Sequence, residues 1–428
     1  MGIKVALDSL GCKLNQAETD DLFHQFAEAG CQMVSSPGEA DIYILNTCTV
    51  THIADRKSRH LLRLAHRRNP DAVVVATGCY AERAPKELAG IEGVRLVLGN
   101  SDKPHLLRLL EESGCLSDRV IDQEGLVNNG CGGFRTRAMV KVQDGCSNFC
   151  TYCIVPLVRD RERNIAVGQV ISGIKQRVAQ GYREVVLTGV RIGSYCDNGV
   201  TLVGLLERIL AETGVERLRL SSLQPGEVSP ELVALWRDGR LCPHFHLCLQ
   251  SGSDSVLGRM RRRYSTADFE QSVSFIRNMV PGVAITTDVM VGFPGEADKE
   301  FEESYRFCRR MEFARTHVFS YSRRNGTGAS RFPNQVGDKV KKERAGRMLA
   351  LAQESAGNFR RQFLDRTLTV LFEQRSGGVW SGLTTNYIKV YAKSSSDLTS
   401  RLKPVRLLEV YRDGVWGEIA EYIVDIVW

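Results

Sequence analysis

The chain has 428 residues, of which 43% are hydrophobic and 25% are charged, and its net charge is +7. Because a single hydrophobic core rarely serves more than roughly 300 residues, this length predicts two or three domains. No apolar run approaches the roughly 20 residues that cross a bilayer, and the first residues lack the plan of a signal peptide, so we expect a cytoplasmic protein with no membrane partner.

Three predicted strands in the first hundred residues are each followed closely by a cysteine. VALDSLGC ends at Cys12, IYILNTC at Cys48 and VVVATGC at Cys79. A helix-like segment follows each strand, so the strands should be parallel and share one carboxyl edge. That edge would bring the three thiols together and favours a metal centre, although small buried cysteines also fill the ends of packed strands.

The stretch DGCSNFCTYC, residues 144–153, places Cys146, Cys150 and Cys153 in one short loop. Thiolates are ligands for zinc or for iron–sulfur clusters. Zinc prefers four ligands, and no second C-x2-C pair exists in the chain, although a distant cysteine or histidine could complete such a site. A four-iron cluster held by three cysteines leaves one iron free to bind another molecule.

Six strand-like runs, one directly before this motif and five after it, alternate with helix-like segments. This pattern predicts a parallel sheet curled into most of a barrel, with Cys146 at the carboxyl end of the first strand, where active sites of such sheets lie. The six runs are RAMVKVQ, EVVLTGV, RLRLSS, HFHLCLQ, AITTDVMV and THVFSYS. The remaining cysteines show no comparable pattern and are predicted to be structural: Cys31, Cys115, Cys131, Cys196, Cys242, Cys248 and Cys308.

The pattern changes near residue 366 to short alternating runs separated by turns, which predicts a small β-barrel. The runs are TLTVLFEQ, YIKVYAK, PVRLLEVY and GEIAEYIVDIV. The expected domains are therefore 1–130, 131–365 and 366–428. Basic residues before this barrel, and one aromatic residue within it, are candidate contacts to RNA phosphates and bases, although a solvated helix face or a barrel core would also use them. These candidates are Arg261, Arg262, Arg263, Lys341, Lys342 and Tyr387.

Motifs along almost the whole chain resemble the radical S-adenosylmethionine (SAM) methylthiotransferases. The matching stretches include LGCKLNQAET, NTCTVTHIADRKSR, ATGCYAERAPKEL, DGCSNFCTYCIVP and TDVMVGFPGE. The resemblance implies a multidomain α/β protein: an N-terminal parallel α/β methylthiotransferase domain, a partial (β/α)6 radical SAM barrel and a C-terminal RNA-binding β-barrel of the TRAM type. An arginine–glycine pair common in the family is Arg159 and Asp160 here.

The resemblance implies two 4Fe–4S clusters, one held by Cys12, Cys48 and Cys79 and one by Cys146, Cys150 and Cys153, with SAM bound to the second. No catalytic residue beyond these cluster ligands is predicted. SAM itself is expected to meet residues at the strand ends, namely Thr188, Gly189, Ser221, Gln250 and Asp288.

LGCKLNQ and NTCTVT are most similar to the branch that acts on N6-threonylcarbamoyladenosine at position 37 of the tRNA anticodon loop. The product there carries a methylthio group at C2. The alternatives are the isopentenyl-adenosine branch and a non-catalytic RNA-binding protein with zinc. The sequence identifies neither the electron donor nor the sulfur source.

Overall fold

The structure is a computed structural model that describes residues 2–115 and 136–420. Cys131 and most of the predicted last run, GEIAEYIVDIV, lie outside the described residues, as does the predicted domain boundary at 130/131. The boundary at 365/366 falls just before a strand that begins at Thr367.

The N-terminal domain is a five-stranded sheet in which every neighbouring pair of strands is parallel. Its elements are β1 (Lys4–Ser9), α1 (Lys13–Glu28), β2 (Gln32–Met33), β3 (Ile42–Thr47), α2 (His52–Arg68), β4 (Val73–Gly78), α3 (Cys79–Arg83), α4 (Pro85–Ala89), β5 (Val94–Leu98) and α5 (Leu106–Glu112). The strand order is β2-β1-β3-β4-β5. All six residues of β3 are buried because helices cover both faces of the sheet.

The central domain contains the six predicted strands, and each neighbouring pair is parallel. Its first half comprises β6 (Ala138–Lys141), β7 (Gln143–Asp144), α6 (Val155–Val158), β8 (Arg163–Asn164), α7 (Val167–Ala179), β9 (Glu184–Thr188), β10 (Cys196–Asp197), β11 (Val200–Thr201), α8 (Leu202–Glu212), β12 (Arg217–Leu220) and β13 (Ser222–Leu223). Its second half comprises α9 (Pro230–Ala234), β14 (His244–Gln250), α10 (Asp254–Arg259), α11 (Thr266–Met279), β15 (Ala284–Val291), α12 (Asp298–Met311) and β16 (Arg315–Ser320).

These strands form a partial barrel, as the sequence predicted. The third strand is interrupted at Ser221, so one sheet has the order β12-β9-β6 and the next β13-β14-β15-β16. Apolar side chains on the outer face of the strands pack against the surrounding helices in one large core. Within the described residues no ladder joins β6 to β16. Helix α1 of the N-terminal domain packs beside β6 instead, with Ala17 against Met139 and Val186.

The C-terminal domain is a closed five-stranded barrel, which agrees with the predicted β-barrel. It follows α13 (Asp338–Arg361), and its strands are β17 (Thr367–Ser376), β18 (Val379–Thr384), β19 (Lys389–Lys393), β20 (Leu402–Tyr411) and β21 (Gly414–Ile419). Strand β18 was not among the predicted runs. It contains Gly382, where a Cβ would lie 2.3 Å from the carbonyl oxygen of Leu371, so the close approach to β17 requires glycine.

Among the described helices, none combines the length and the apolar character that a membrane crossing would need.

Candidate active site at the junction of two cysteine trios

The radical-motif trio, defined as Cys146, Cys150 and Cys153, lies in the loop that follows β7. Gly145 turns the chain into this loop with φ +70, and a Cβ there would lie 2.3 Å from the carbonyl oxygen of Asp160. The Cys153 amide donates to the Cys150 carbonyl at 3.0 Å. Arg262 Nη1 donates to Cys150 Sγ at 3.4 Å. All three cysteines line one pocket, as the local spacing predicted.

This donor set fits an iron–sulfur cluster. The three cysteines are free thiols. Burial raises the pKa of Cys146, and it raises the pKa of Cys153 to about 12. Thiolates in this pocket therefore need compensating positive charge, which a cluster's iron supplies when bound. Arg262 contributes part of that charge from the side of Cys150.

The sheet-edge trio, defined as Cys12, Cys48 and Cys79, lies at the carboxyl ends of three adjacent strands. Cys12 precedes α1, Cys48 directly follows β3, and Cys79 directly follows β4. Gly11 has φ +101, and a Cβ there would lie 2.6 Å from Cys48 Sγ, so the loop that carries Cys12 runs against the Cys48 thiol. Asn15 fixes this approach, because its Nδ2 donates to the carbonyls of both Leu10 and Thr47.

The pKa shifts of the sheet-edge trio also indicate that its three thiols lie close to one another, and this set of donors fits an iron–sulfur cluster. Burial raises the pKa of Cys48 to about 12, and the Cys12 and Cys79 thiols add to that rise. Cys12 keeps an exposed edge, yet protein atoms crowd its thiol and raise its pKa, with a smaller contribution from Cys79. Three soft donors thus converge with no disulfide between them, as the parallel topology predicted.

The two trios meet at α6. Ile154 directly follows Cys153, and it packs with Val158 against Cys79 in one small apolar cluster. Asn100 Nδ2 donates to the Val158 carbonyl at 2.6 Å and lies 3.9 Å from Cys79 Sγ. One short turn of chain therefore separates the radical-motif trio from the sheet-edge trio.

Arg159, at the end of α6, joins the two domains through buried ion pairs. Its side chain is 2% exposed. It donates to Glu18 and to Asp144, each at 2.8 Å, and to Asn15 at 2.8 Å. Although burial disfavours its charge, Lys103 and Arg159 hold the pKa of Glu18 well below its usual range. Arg159, which matches the arginine of the family's arginine–glycine pair, is thus a structural link between the trios, and the departure from the family pattern lies at the next residue, Asp160.

A second link lies beside the last strand of the barrel. Arg324, which follows β16, donates to Asp55 at 2.6 Å and to Thr49 at 2.7 Å. Thr49 directly follows Cys48. The N-terminal domain is therefore attached to the barrel beside both its first and its last strand, and the sheet-edge trio lies between these attachments.

Only some of the residues predicted to contact SAM line the radical-motif pocket. Gln250 lines the radical-motif pocket, whereas Thr188 and Gly189 do not, although the following residues Val190 and Arg191 do. Within the described residues, Ser221 Oγ and Gln250 Oε1 are buried and have no hydrogen-bond partner. Orphaned buried polar atoms beside the pocket fit a polar ligand such as SAM.

Asp288 lies in a hydrogen-bonded row on the inner face of β14, β15 and β16. His246 Nε2 lies 3.3 Å from Asp288, and His317 Nδ1 lies 3.1 Å from it. Although burial disfavours its charge, these histidines hold the pKa of Asp288 below its usual range. Cys248, predicted to be structural, faces the radical-motif pocket beside this row, and its ligand atom lies within 4.8 Å of those of His246 and Asp288.

Four of the other cysteines predicted to be structural are packed in or against the protein interior. Cys242 and Cys308 are buried, and Cys31 and Cys115 pack against the core of the N-terminal domain. Cys196 is exposed in β10.

The predicted RNA contacts are divided between surface and interior. Arg261, Arg263 and Lys342 are exposed. Lys341 lies over the Tyr321 ring with 14% of its side chain exposed, and Arg262 belongs to the radical-motif pocket. The Tyr387 ring stacks on the His244 ring with their centres 4.5 Å apart, and the Tyr387 hydroxyl accepts a hydrogen bond from Arg137. This enclosure does not favour the base-stacking role predicted for Tyr387.

A basic surface on α2 was not predicted from the sequence. We define the α2 basic stripe as Arg56, His60, Arg63 and Arg67, which are exposed and recur at intervals of four, three and four residues. That spacing places them along one helix face over about 16 Å. Within the described residues the three arginines form no ion pair. The periodicity of arginine and histidine in DRKSRHLLRLAHRR was the sequence signal for this surface.

Comparison with known proteins follows the same division of the chain. A family model described as the Radical SAM superfamily matches residues 140–308, and one described as uncharacterized protein family UPF0004 matches residues 4–99. The radical SAM methyltransferase TsrM from Kitasatospora setae has a similar fold, with a TM-score of 0.55 and 15% identity over 77% of this chain and 74% of that one. The fold and the radical-motif trio define a radical SAM protein.

Relatives that match more than 90% of the chain show to which radical SAM family it belongs. The threonylcarbamoyladenosine tRNA methylthiotransferase MtaB of Bacillus subtilis is 36% identical over 97% of both chains. The protein of the same name from Aquifex aeolicus is 38% identical over 91% of this chain and 96% of that one. The chain belongs to the radical SAM methylthiotransferase family. It is a transferase of sulfur-containing groups whose cofactors are SAM and two 4Fe–4S clusters.

Proposed function

We propose that this protein is a cytoplasmic tRNA methylthiotransferase that converts N6-threonylcarbamoyladenosine at position 37 of the anticodon loop to its 2-methylthio derivative. The observation that carries the proposal is the meeting of the two trios at α6, with Ile154 and Val158 packed on Cys79. A reaction that combines a radical step with delivery of sulfur needs both centres to face one substrate atom.

The substrate carbon explains why both centres are needed. C2 of adenine is neither acidic nor strongly electrophilic, so acid–base catalysis gives it no reactivity; SAM and the clusters, when bound, supply the radical and carry the sulfur. The six cysteines of the two trios would hold these clusters. Ser221 Oγ would donate a hydrogen bond to SAM or accept one from it, and Gln250 Oε1 would accept one. Arg262 would stabilise the thiolate of Cys150.

Charge on the N-terminal domain supports tRNA as the partner. The α2 basic stripe begins eight residues after Cys48, so it lies on the domain that carries the sheet-edge trio. Arginines without carboxylate partners are suited to phosphates. Exposed apolar side chains occur close to the ligands as well, since Ile53 follows Cys48 and Phe149 lies within the radical motif, with 57% and 74% of their surfaces exposed. Such side chains suit unstacked bases of an RNA loop.

A second candidate substrate is isopentenyl-adenosine in tRNA. A relative from Caldicellulosiruptor saccharolyticus named tRNA-2-methylthio-N(6)-dimethylallyladenosine synthase is 33% identical over 96% of this chain and 91% of that one. The MtaB relatives are more similar, at 36% and 38% identity, which favours the threonylcarbamoyl substrate.

Mass spectrometry of tRNA nucleosides tests the proposal. A deletion strain without a paralogue should lose 2-methylthio-N6-threonylcarbamoyladenosine and keep the isopentenyl derivative, and expression of the chain should restore the first. The opposite pattern would identify the isopentenyl substrate and overturn the proposal. Anaerobically purified protein that contains zinc and no acid-labile sulfide would instead support the non-catalytic RNA-binding alternative.

A further inference from the structure

Lys13 carries a positive charge with which no carboxylate of residues 2–115 or 136–420 forms an ion pair. It is the first residue of α1 and directly follows Cys12. Its Nζ lies 5.8 Å from the centre of the Tyr387 ring. Within the described part of the chain this ammonium group forms no ion pair and no hydrogen bond. Lys13 is half-buried where three domains meet, and an ammonium group there that lacks a partner is costly to desolvate unless a ligand supplies one.

The charges around Lys13 favour binding of an anionic ligand at this site. The guanidinium groups of Arg219 and Arg137 lie 4.3 Å and 5.7 Å from the centre of the Tyr387 ring. The two carboxylates nearby are already engaged, because Glu184 pairs with Arg219 at 3.0 Å and Glu373 with Arg137 at 2.8 Å. This group holds four cations and two carboxylates, a net charge of +2: Lys13, Arg137, Arg217, Arg219, Glu184 and Glu373.

Polar side chains connect this cationic group with the radical-motif pocket. His244, which stacks on Tyr387, and His246 share Thr286 Oγ1 as a hydrogen-bond partner, each at 3.0 Å. His246 in turn contacts Asp288. The Asp288 and His317 side chains are 26% and 46% exposed. Asp288 and His317 are therefore partly accessible to a polar ligand on the inner face of the barrel.

We propose that Lys13 binds the carboxylate of the threonylcarbamoyl substituent and thereby selects this nucleoside over the isopentenyl one. The inference rests on the proposed function. The substituent is attached to the same base as C2, which must face both trios, and Lys13 directly follows a residue of the sheet-edge trio. An isopentenyl group is neutral and apolar, so it would leave the ammonium group desolvated and without a partner.

The test uses the reconstituted holoenzyme and anticodon stem-loop RNAs that carry the free acid, its neutral methyl ester or isopentenyl-adenosine at position 37. The wild-type enzyme should prefer the acid over the ester by at least about 30-fold in kcat/KM, the effect expected when an enclosed ion pair loses one partner. In Lys13→Met this preference should disappear, with the ester used as well as by the wild-type enzyme. Fluorescence anisotropy should show that Lys13→Met also loses the preference for the acid over the ester in RNA affinity. The control variant Lys175→Met, which changes an exposed lysine on α7, should keep the wild-type preference.

Each outcome has a definite meaning. If the wild-type enzyme uses the acid and the ester equally, the role of Lys13 is overturned even if the variants fail to fold. If Lys13→Met lowers use of the acid and the ester by the same factor, or loses iron, then Lys13 is structural and the proposal is wrong. If the wild-type enzyme modifies only the isopentenyl RNA, the proposed function itself fails, which is a separate result.

Discussion

The radical-motif trio occupies eight consecutive residues of one loop, whereas the sheet-edge trio is drawn from three loops between residues 12 and 79. The first is held by contacts of that loop with its surroundings, such as the hydrogen bond from the Thr151 amide to the Met260 carbonyl. The second exists only because β1, β3 and β4 are adjacent and end at one edge. A local motif therefore forms the radical-motif trio, whereas the sheet-edge trio depends on the fold.

Removing one cysteine from each trio should have the largest effects and should separate their roles. Cys150→Ala should abolish both SAM cleavage and methylthiolation, because no cluster would remain to bind SAM. Cys48→Ala should abolish methylthiolation but keep SAM cleavage. Anaerobic assays of 5'-deoxyadenosine and of modified RNA measure both, with Cys196→Ala as an exposed control outside the trios. Loss of SAM cleavage in Cys48→Ala would contradict this division.

Replacing Arg159 tests whether its buried ion pairs stabilise the junction between the two trios. Arg159→Met leaves Glu18 and Asp144 buried with fewer partners, so the free energy of unfolding should fall by about 3 to 5 kcal/mol. The exposed pair of Arg310 and Glu270 is a matched control, and Arg310→Met should cost less than about 1 kcal/mol. Urea unfolding followed by circular dichroism measures both variants. Equal, small effects would show that the buried network does not stabilise the junction.

The buried ion pairs of Glu184 with Arg217 and Arg219 should make the stability of the fold depend on pH. Although burial opposes its ionisation, Arg219 and Arg217 lower the pKa of Glu184 from 4.5 to about 2. Because the folded-state pKa is depressed, the carboxylate stabilises the fold above about pH 4.5, and this contribution is lost as the pH falls towards 2. The difference in unfolding free energy between wild type and Glu184→Gln, about 3 kcal/mol at most near neutral pH, should shrink over that range. Urea titrations at pH 6 and pH 3 measure it, and a constant difference would contradict the assignment.

The α2 basic stripe should give the smallest effect and locate the approach of tRNA. Replacing Arg56, Arg63 and Arg67 by alanine should weaken tRNA binding and lower the slope of log affinity against log salt by about one for each phosphate that the variant no longer binds. A control triple variant at Lys175, Arg306 and Arg309 removes equal charge from the outer helices α7 and α12. Filter binding at several salt concentrations measures the slopes. Equal slopes in the two variants would exclude the stripe as a tRNA surface.

Features that depend on regular backbone geometry could be predicted from the sequence, whereas contacts between distant side chains could not. Alternating apolar runs predicted the six barrel strands, and parallel topology predicted that Cys12, Cys48 and Cys79 would converge, because both depend on regular backbone geometry. The roles of Arg159 and Tyr387 were not predictable, since each side chain contacts residues more than a hundred positions away. Strand β18 was missed because Ser381 and Gly382 interrupt its apolar pattern.

The central claim is that the two trios hold two separate clusters, and metal analysis of trio variants tests it most directly. Anaerobically reconstituted wild-type protein should contain about eight irons and eight sulfides per chain, as two four-iron clusters require. Replacing all three cysteines of either trio by alanine should leave about four of each, and Mössbauer spectra should show that the remaining cluster is intact. Zinc in either trio, or loss of all iron when only the sheet-edge trio is removed, would contradict the account.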